Sequence, residues 1–254
     1  MSIKNYSKEN YNVLEYESTN IYIIENILDD KTCEDFIKLI DIIPVIKNSI
    51  SYGNNVECYL NTIEDLLDIN DEDLYYFNIN TEEYNSILNK IKENNCIYTN
   101  LLNGLKKDKI TEYQELLKNK LIIIKKIMKD INSELEFNQN SGFILRKIYG
   151  ETRAHCDGLS QIVEPENLNF TFNFIRDNAC GNYKYIRNST MIFSLNDNYE
   201  DGILQFPYYN INIKLKKGSL IIFPPYWTHK HQTSSPKNNT FRYTITTWNC
   251  ERLI

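Results

Sequence analysis

The pattern of apolar and polar positions in the first part of the chain predicts one short strand followed by helices. An apolar run at residues 21–24 is typical of a strand, and residues 29–32 then supply N-capping side chains. Positions 33, 36, 37 and 40 are apolar at helical spacing, which predicts a helix. Residues 81–103 and 111–135 repeat this periodicity. In the second segment one apolar stripe contains Tyr113, Leu116, Leu117, Leu121, Ile124 and Ile127. No heptad is sustained, so we expect support helices packed on a sheet rather than a coiled coil.

The second part of the chain changes to short apolar or alternating runs separated by turn residues. These runs predict strands at residues 143–148, 190–195, 203–207, 219–223 and 241–248. Many short strands with turns between them favour a jelly roll over a parallel α/β sheet. The predicted class is therefore α+β with a mainly β core, supported by N-terminal helices.

No internal repeat or low-complexity linker divides the sequence, which predicts one domain over residues 1–254. Within it, residues 1–140 would supply the N-terminal strand and the support helices, and residues 141–254 the jelly-roll core. Residues 169–175 alternate polar and apolar side chains inside the long segment 159–186, as a half-exposed strand or hairpin would. In a jelly roll a segment at this place commonly covers the substrate, so 159–186 is a candidate lid; the alternative is an ordinary hairpin extension.

Composition narrows the choice of partner and compartment. The net charge is −6 and no run of five or six basic residues occurs, so nucleic acid is disfavoured as a partner. Six scattered cysteines without a Cys-x-x-Cys pair indicate reduced thiols. Residues 1–20 lack an apolar signal segment, and no apolar run is long enough for a membrane span. We therefore expect a cytoplasmic protein; the richness in Asn, Ile, Lys and Tyr indicates an AT-rich genome, such as that of a virus.

All three histidines lie in two stretches that also carry other candidate ligands. His155 and Asp157 are two residues apart, so an extended backbone places both side chains on one face. A further imidazole from a distant strand would complete a 2-His-1-carboxylate set, which leaves open positions on Fe(II). His229 and His231 are both candidates for it, and their two-residue spacing does not distinguish between them.

Residues 141–248 resemble the Fe(II)- and 2-oxoglutarate-dependent dioxygenases, in particular the prolyl-4-hydroxylase-like branch. The resemblance is carried by His155-x-Asp157, by a later histidine after Phe223-Pro224, and by Arg242. It implies a double-stranded β-helix (jelly-roll) core that binds iron. The Phe-Pro-x-x-x-x-His spacing selects His229 as the third ligand beside His155 and Asp157.

The resemblance also implies residues that bind the cosubstrate. Arg242 would hold the distal carboxylate of 2-oxoglutarate through its planar fork. Thr244 shares its face of the strand and offers a hydroxyl. Lys147 and Tyr149 lie near the position of a family tyrosine that completes the pocket. Residues 234–239 look like an insertion between the histidine and the arginine.

The implied activity is the hydroxylation of a protein or peptide side chain, with proline as the default, using O2 and releasing succinate and CO2. Two alternatives remain from the sequence. The same chemistry could act on a small molecule, a sugar or a nucleobase, or the fold could serve as a non-catalytic jelly-roll binding module. The intact set of metal ligands argues against the non-catalytic binding module.

Overall fold

The computed structural model describes residues 2–8, 10–42, 55–60, 107–135, 137, 139–158 and 184–253. The predicted helix at 81–103 lies outside the described residues, as does most of the candidate lid, residues 159–183. In the described part of the chain, no helix has the length and apolar character needed to cross a membrane.

Fifteen strands and two α-helices occur in the described residues. The strands are β1 Ile3–Lys8, β2 Tyr11–Tyr16, β3 Ile21–Ile24, β4 Asn55–Tyr59, β5 Gln139–Asn140, β6 Ile144–Ile148, β7 Thr152–His155, β8 Lys184–Ser194, β9 Glu200–Asp201, β10 Leu204–Phe206, β11 Ile211–Ile213, β12 Leu220–Phe223, β13 His231–Thr233, β14 Pro236–Lys237 and β15 Arg242–Leu253. The helices are α1 Asp30–Ile42 and α2 Lys107–Ile131. Two 3-10 turns occupy Pro207–Tyr209 and Trp227–His229.

The strands form two antiparallel sheets and one small ribbon. The major sheet has nine strands in the order β1-β2-β3-β12-β8-β15-β6-β4, with β5 added beside β15. The minor sheet has the order β11-β10-β13-β7, and β14 pairs with β9. This arrangement confirms the predicted jelly roll, and it shows that the N-terminal strands join the major sheet directly.

The two helices cover the outer face of the major sheet. Helix α1 begins after Asp29, whose Oδ1 accepts a hydrogen bond from the Thr32 backbone N–H at 2.7 Å. Its apolar face and that of α2 share one buried cluster with the outer face of the sheet; members include Cys33, Phe36, Leu117, Ile124, Phe193, Leu220 and Ile245. The predicted support role of these helices is confirmed.

A second apolar cluster joins the two sheets. Major-sheet residues such as Ile192, Ile221 and Phe223 pack here against minor-sheet residues such as Leu204 and Phe206. Burying apolar side chains from both inner faces holds the sandwich together.

The inner face of the major sheet changes from apolar to polar as it passes onto β15 and β6. Arg242, Thr244 and Thr246 alternate along β15 and are all buried. In the register, Arg146 of β6 lies opposite Thr244. Buried polar groups need partners, so this half of the inner face is where a polar ligand would bind.

The apparent insertion at residues 234–239 forms β14 and a turn. Strand β14 pairs with β9, and Lys237 Nζ contacts Asp201 Oδ2 at 2.7 Å. Ser234 Oγ donates a hydrogen bond to Asp201 Oδ1 at 2.6 Å. The extra residues thus close an edge of the sandwich while β15 keeps its place beside β6 and β8.

Candidate metal and anion site

His155, the last residue of β7, presents one ring nitrogen to the carboxylate of Asp157. Its Nδ1 lies 2.7 Å from the Arg153 carbonyl oxygen, which can only accept a hydrogen bond. In the neutral ring the proton therefore belongs on Nδ1 and Nε2 has a free lone pair, whereas in the protonated ring Nε2 can donate to Asp157. Nε2 lies 3.3 Å from Asp157 Oδ1.

His231 begins β13 and lies directly opposite His155 in the antiparallel register. The two ring centroids are 4.5 Å apart. His231 Nδ1 lies 3.0 Å from the His229 carbonyl oxygen, which again places the proton on Nδ1. Its Nε2 faces Asp157 Oδ2 at 3.7 Å. The Phe223 ring packs against the imidazole at 4.8 Å between centroids and fixes its orientation.

One ligand atom each from His155, Asp157 and His231 lies within 4.8 Å of the others. Thr190 Oγ1 donates a hydrogen bond to Asp157 Oδ2 at 2.8 Å and orients that carboxylate. Histidines that bind a metal usually donate their second ring N–H to a carbonyl group, and carboxylates that bind a metal usually accept a further hydrogen bond. Both supports are present here. The donor set fits a divalent transition metal with open positions.

The charges in this cluster are strongly coupled. Burial alone would raise the pKa of Asp157, but the His155 hydrogen bond and the nearby imidazoles hold it well below its usual range. Burial alone would lower the pKa of His155, but the hydrogen bond and charge of Asp157 raise it. For His231 burial prevails, and its pKa is lowered. Asp157 is therefore ionised at neutral pH and ready to bind a cation.

His229, the histidine that the sequence prediction selected, is not part of this cluster. Its Nε2 donates a hydrogen bond to the Thr19 carbonyl oxygen, and the Thr228 hydroxyl lies 2.8 Å from its Nδ1. Both ring nitrogens are therefore engaged with neighbours. His229 itself lies in the Trp227–His229 turn, so the two histidines do not share one extended strand. The structure brings His231, not His229, to His155 and Asp157.

Arg242 lies on the inner face of β15, and its side chain is 3 % exposed. Its Nη1 donates a hydrogen bond to Thr233 Oγ1 at 3.3 Å, two residues along β13 from His231. Burial lowers the pKa of Arg242, and the Tyr199 hydroxyl beside it only partly offsets this. Among the described residues no carboxylate pairs with the guanidinium, and its Nε has no hydrogen-bond partner. A buried cation that is not paired with a carboxylate fits an anionic ligand.

Thr244 lies where the sequence predicted, beside Arg242 on the same face. Its hydroxyl is buried and has no hydrogen-bond partner in the described part of the chain. Arg146, opposite Thr244 on β6, adds a second guanidinium to this face and donates to Thr246 Oγ1 at 3.3 Å. Arg242 and Arg146 therefore lie on the same face as several hydroxyl groups.

Lys147 and Tyr149, two predicted cosubstrate residues, lie elsewhere. Lys147 shares the helix-covered face with Tyr243, opposite it in the register, and its Nζ contacts Asp41 Oδ1 at 2.8 Å. Successive strand residues face opposite sides, so Arg146 reaches the site and Lys147 does not. Tyr149 follows β6 and is 37 % exposed.

The sequence prediction also missed Arg146 and Thr190 as residues of the site. Arg146 precedes Lys147 on one strand, and only the register of β6 against β15 shows which of the two faces inward. Thr190 opens the apolar run that predicted β8, so its identity alone gave no sign of a polar role. Periodicity locates such strands but does not state which face a ligand occupies.

The protein is similar to known proteins in its structure, whereas comparisons of its sequence found no match. No protein-family model matches the sequence, and no curated protein matches it. The viral collagen prolyl hydroxylase of Paramecium Bursaria Chlorella virus-1, solved as a 2OG complex, is similar with a TM-score of 0.51 and 14 % identity, covering 94 % of this chain and 98 % of that one. A truncated form of it gives 0.52 and 14 %, covering 100 % and 98 %.

A third similar structure is a prolyl hydroxylase from Trichoplax adhaerens in complex with a peptide fragment of the hypoxia inducible factor oxygen degradation domain. Its TM-score is 0.51 with 13 % identity, covering 91 % of this chain and 83 % of that one. At such low identity the similarity concerns the fold. The chain therefore has the jelly-roll fold of these prolyl hydroxylases over almost its whole length.

Proposed function

We propose that the protein is an Fe(II)- and 2-oxoglutarate-dependent oxygenase that hydroxylates a protein or peptide side chain, with proline as the first candidate. One observation carries the proposal: the His155, Asp157 and His231 cluster shares its inter-sheet site with a buried arginine that lacks a carboxylate partner among the described residues. A metal-ligand set and an anion anchor on one face are what this chemistry requires.

His155 Nε2, His231 Nε2 and one oxygen of Asp157 would hold the iron. Two imidazoles and a carboxylate leave positions for a chelating cosubstrate and for oxygen. Arg242 would bind the distal carboxylate of 2-oxoglutarate, and the Thr244 hydroxyl would add a hydrogen bond. When bound, the iron and 2-oxoglutarate would supply the oxidising chemistry, converting O2 and the substrate into hydroxylated product, succinate and CO2.

The protein's own contribution is orientation and the exclusion of water. Thr190 and the backbone carbonyls of residues 153 and 229 fix the three metal ligands. Phe206 and Phe223 pack on His231 and keep that side of the site apolar. In such a low-dielectric environment the attraction between Arg242 and a carboxylate is stronger than in water.

Two observations support a peptide rather than a small molecule as substrate. Trp227 is 75 % exposed and lies in the turn that leads into His231, and Tyr226 beside it is 39 % exposed. Exposed aromatic side chains next to a site are suited to binding an extended chain. The structurally similar Trichoplax enzyme was solved with a peptide.

The first test is an anaerobic titration of the purified protein with Fe(II) and then 2-oxoglutarate, followed through the weak visible charge-transfer band of the chelate. We expect the band in the wild type and not in His155→Ala. Arg242→Met should require roughly thirtyfold more 2-oxoglutarate or worse, because losing a buried charged hydrogen bond costs about 2–5 kcal/mol. A folded protein that binds iron but never forms the band would contradict the proposal.

The substrate class is tested separately. The iron-loaded enzyme is incubated with O2, 2-oxoglutarate and a library of proline-containing peptides, and mass spectrometry detects the gain of one oxygen atom. Arg242→Met is the inactive control. If succinate is released but no peptide gains oxygen, the protein is still an oxygenase, and the proline-containing peptides of the library are not its substrates.

A further inference from the structure

A β-bulge in β8 turns one arginine toward the metal site. Thr190 pairs with Trp248 and Ser189 with Asn249, but the next pair is Arg187 with Cys250, so Asn188 is an extra residue. In an unbroken ladder, Arg187 and Thr190 would face opposite sides, since they are three residues apart. The bulge changes this alternation and places Arg187 on the inner face. Bulges that redirect a side chain are frequent next to functional sites.

The redirected guanidinium makes two contacts that depend on its planar shape. Arg187 Nη1 donates a hydrogen bond to the backbone carbonyl oxygen of Asp157 at 2.7 Å. The guanidinium also lies 3.7 Å from the centroid of the Trp248 ring. An arginine can stack on an aromatic face while its edge donates, whereas a lysine ammonium lacks that geometry.

Asp157 needs such support because it follows the end of β7 and lies outside the ladder of the minor sheet. On the other side, the Gly158 backbone N–H donates to the Pro225 carbonyl oxygen at 2.6 Å. Tyr226, next to Pro225, donates its hydroxyl to the Arg187 carbonyl oxygen at 2.8 Å. The segment after β7 is thus held between β8 and the turn that leads to His231.

We propose that Arg187 is a positioning residue that fixes the backbone of Asp157 and thereby sets the affinity of the site for its metal. The inference rests on the proposed metal-binding function. Thr190 orients the carboxylate, and Arg187 anchors the main chain that carries it. Metal sites require their ligands to lie within about 0.5 Å of the productive geometry, so an unanchored Asp157 would bind more weakly.

The test uses Co2+, which gives a visible ligand-field spectrum without redox chemistry, added to the metal-free protein. The affinity is measured for the wild type, Arg187→Lys and Arg187→Gln. The control is Lys118→Gln, which removes one positive charge from an exposed position of α2. We expect Co2+ binding to be about 10- to 100-fold weaker in both Arg187 variants, as for other residues that support metal ligands, with an altered Co2+ spectrum. Lys118→Gln should bind as the wild type does.

Two further readouts separate positioning from a loss of folding. The urea midpoint of the metal-free protein should stay within about 0.5 M of the wild-type midpoint, since the side chain of Arg187 is partly exposed. The chain has two tryptophans, so in a Trp227→Phe background the emission reports Trp248 alone, and it should change when the stacked guanidinium is removed.

The outcomes distinguish this inference from the proposed function. If the wild type binds Co2+ and the folded Arg187 variants bind it equally well, the positioning role is wrong while the metal site stands. If the wild type itself binds no Co2+, the proposed function fails and the inference fails with it. If the Arg187 variants bind Co2+ more weakly only in proportion to a lower urea midpoint, the positioning role is also wrong, because the loss of binding would reflect unfolding.

Discussion

His229 and His231 are two residues apart, yet their imidazoles bind different parts of the molecule. His229 Nε2 donates to the Thr19 carbonyl oxygen beside β3, whereas His231 Nε2 faces Asp157 Oδ2 at 3.7 Å. The 3-10 turn that ends at His229 separates the two side chains. One histidine therefore joins the N-terminal strands to the sandwich, and the other completes the candidate metal site.

The first prediction separates these two roles. His231→Ala should lose measurable Co2+ binding, because one of three ligands is removed. His229→Gln should keep wild-type affinity but lower the free energy of unfolding by about 1–3 kcal/mol, since a buried hydrogen-bonded group is replaced. Co2+ titration and urea unfolding measure the two effects. If His229→Gln lost the metal and His231→Ala kept it, the histidine selected from the sequence would be the ligand.

The second prediction concerns pH and the metal-free protein. Burial lowers the pKa of His229 below the 6.5 of a free histidine. His229 therefore binds a proton more readily in the unfolded chain than in the folded one. The free energy of unfolding has its full value above pH 6.5 and decreases as the pH falls toward the lower pKa of the folded state. The free energy of unfolding should fall less steeply between pH 7.5 and about 5.5 in His229→Gln than in the wild type. His155 and His231 titrate in both proteins and largely cancel in this difference; equal slopes would contradict the burial of a neutral His229.

The third prediction concerns the buried guanidinium of Arg242. Because it pairs with no carboxylate among the described residues, its desolvation is not compensated in the ligand-free protein. Arg242→Met should therefore raise the free energy of unfolding by about 1–4 kcal/mol. Thermal unfolding with and without 2-oxoglutarate, in the presence of Co2+, should show stabilisation by the cosubstrate in the wild type alone. A variant that is less stable and still stabilised by 2-oxoglutarate would contradict the anchor role.

The fourth prediction tests the two faces of β6. Lys147 lies on the helix-covered face with Asp41, and both side chains are partly exposed, at 26 % and 42 %. Lys147→Met should cost at most about 1 kcal/mol and leave 2-oxoglutarate binding unchanged. Arg146→Met should weaken that binding, because it removes the guanidinium that lies opposite Thr244 on the inner face. The comparison is made by the anaerobic titration; the reverse order of effects would restore Lys147 as the cosubstrate residue.

Particular residues show how far the sequence could lead. Apolar runs predicted the strands that became β6 and β12, alternation predicted β15, and the pair His155 and Asp157 does come together. Alternation also placed Arg242 and Thr244 on one face, as observed. These features depend on local spacing, which a sequence displays directly.

The features that the sequence did not reveal depend on backbone irregularity or on pairing between distant strands. The turn before His231 breaks the two-residue period that made the two histidines look equivalent. The register of β6 against β15 decides between Arg146 and Lys147. The extra residue in β8 reverses the face of Arg187. None of these follows from the order of apolar and polar residues alone.

The last prediction compares two buried threonines on neighbouring strands. Thr190 Oγ1 donates to the Asp157 carboxylate at 2.8 Å, whereas the Thr247 hydroxyl on the helix-covered face has no partner in the described part of the chain. Thr190→Val preserves the shape but removes the donor, so Co2+ binding should weaken about 10- to 100-fold. Thr247→Val should leave that affinity unchanged and keep or raise stability, because an unpaired buried hydroxyl is removed. Equal metal affinities in the two variants would mean that the hydroxyl of Thr190 does not orient the carboxylate, and that the backbone of Asp157 alone determines its position.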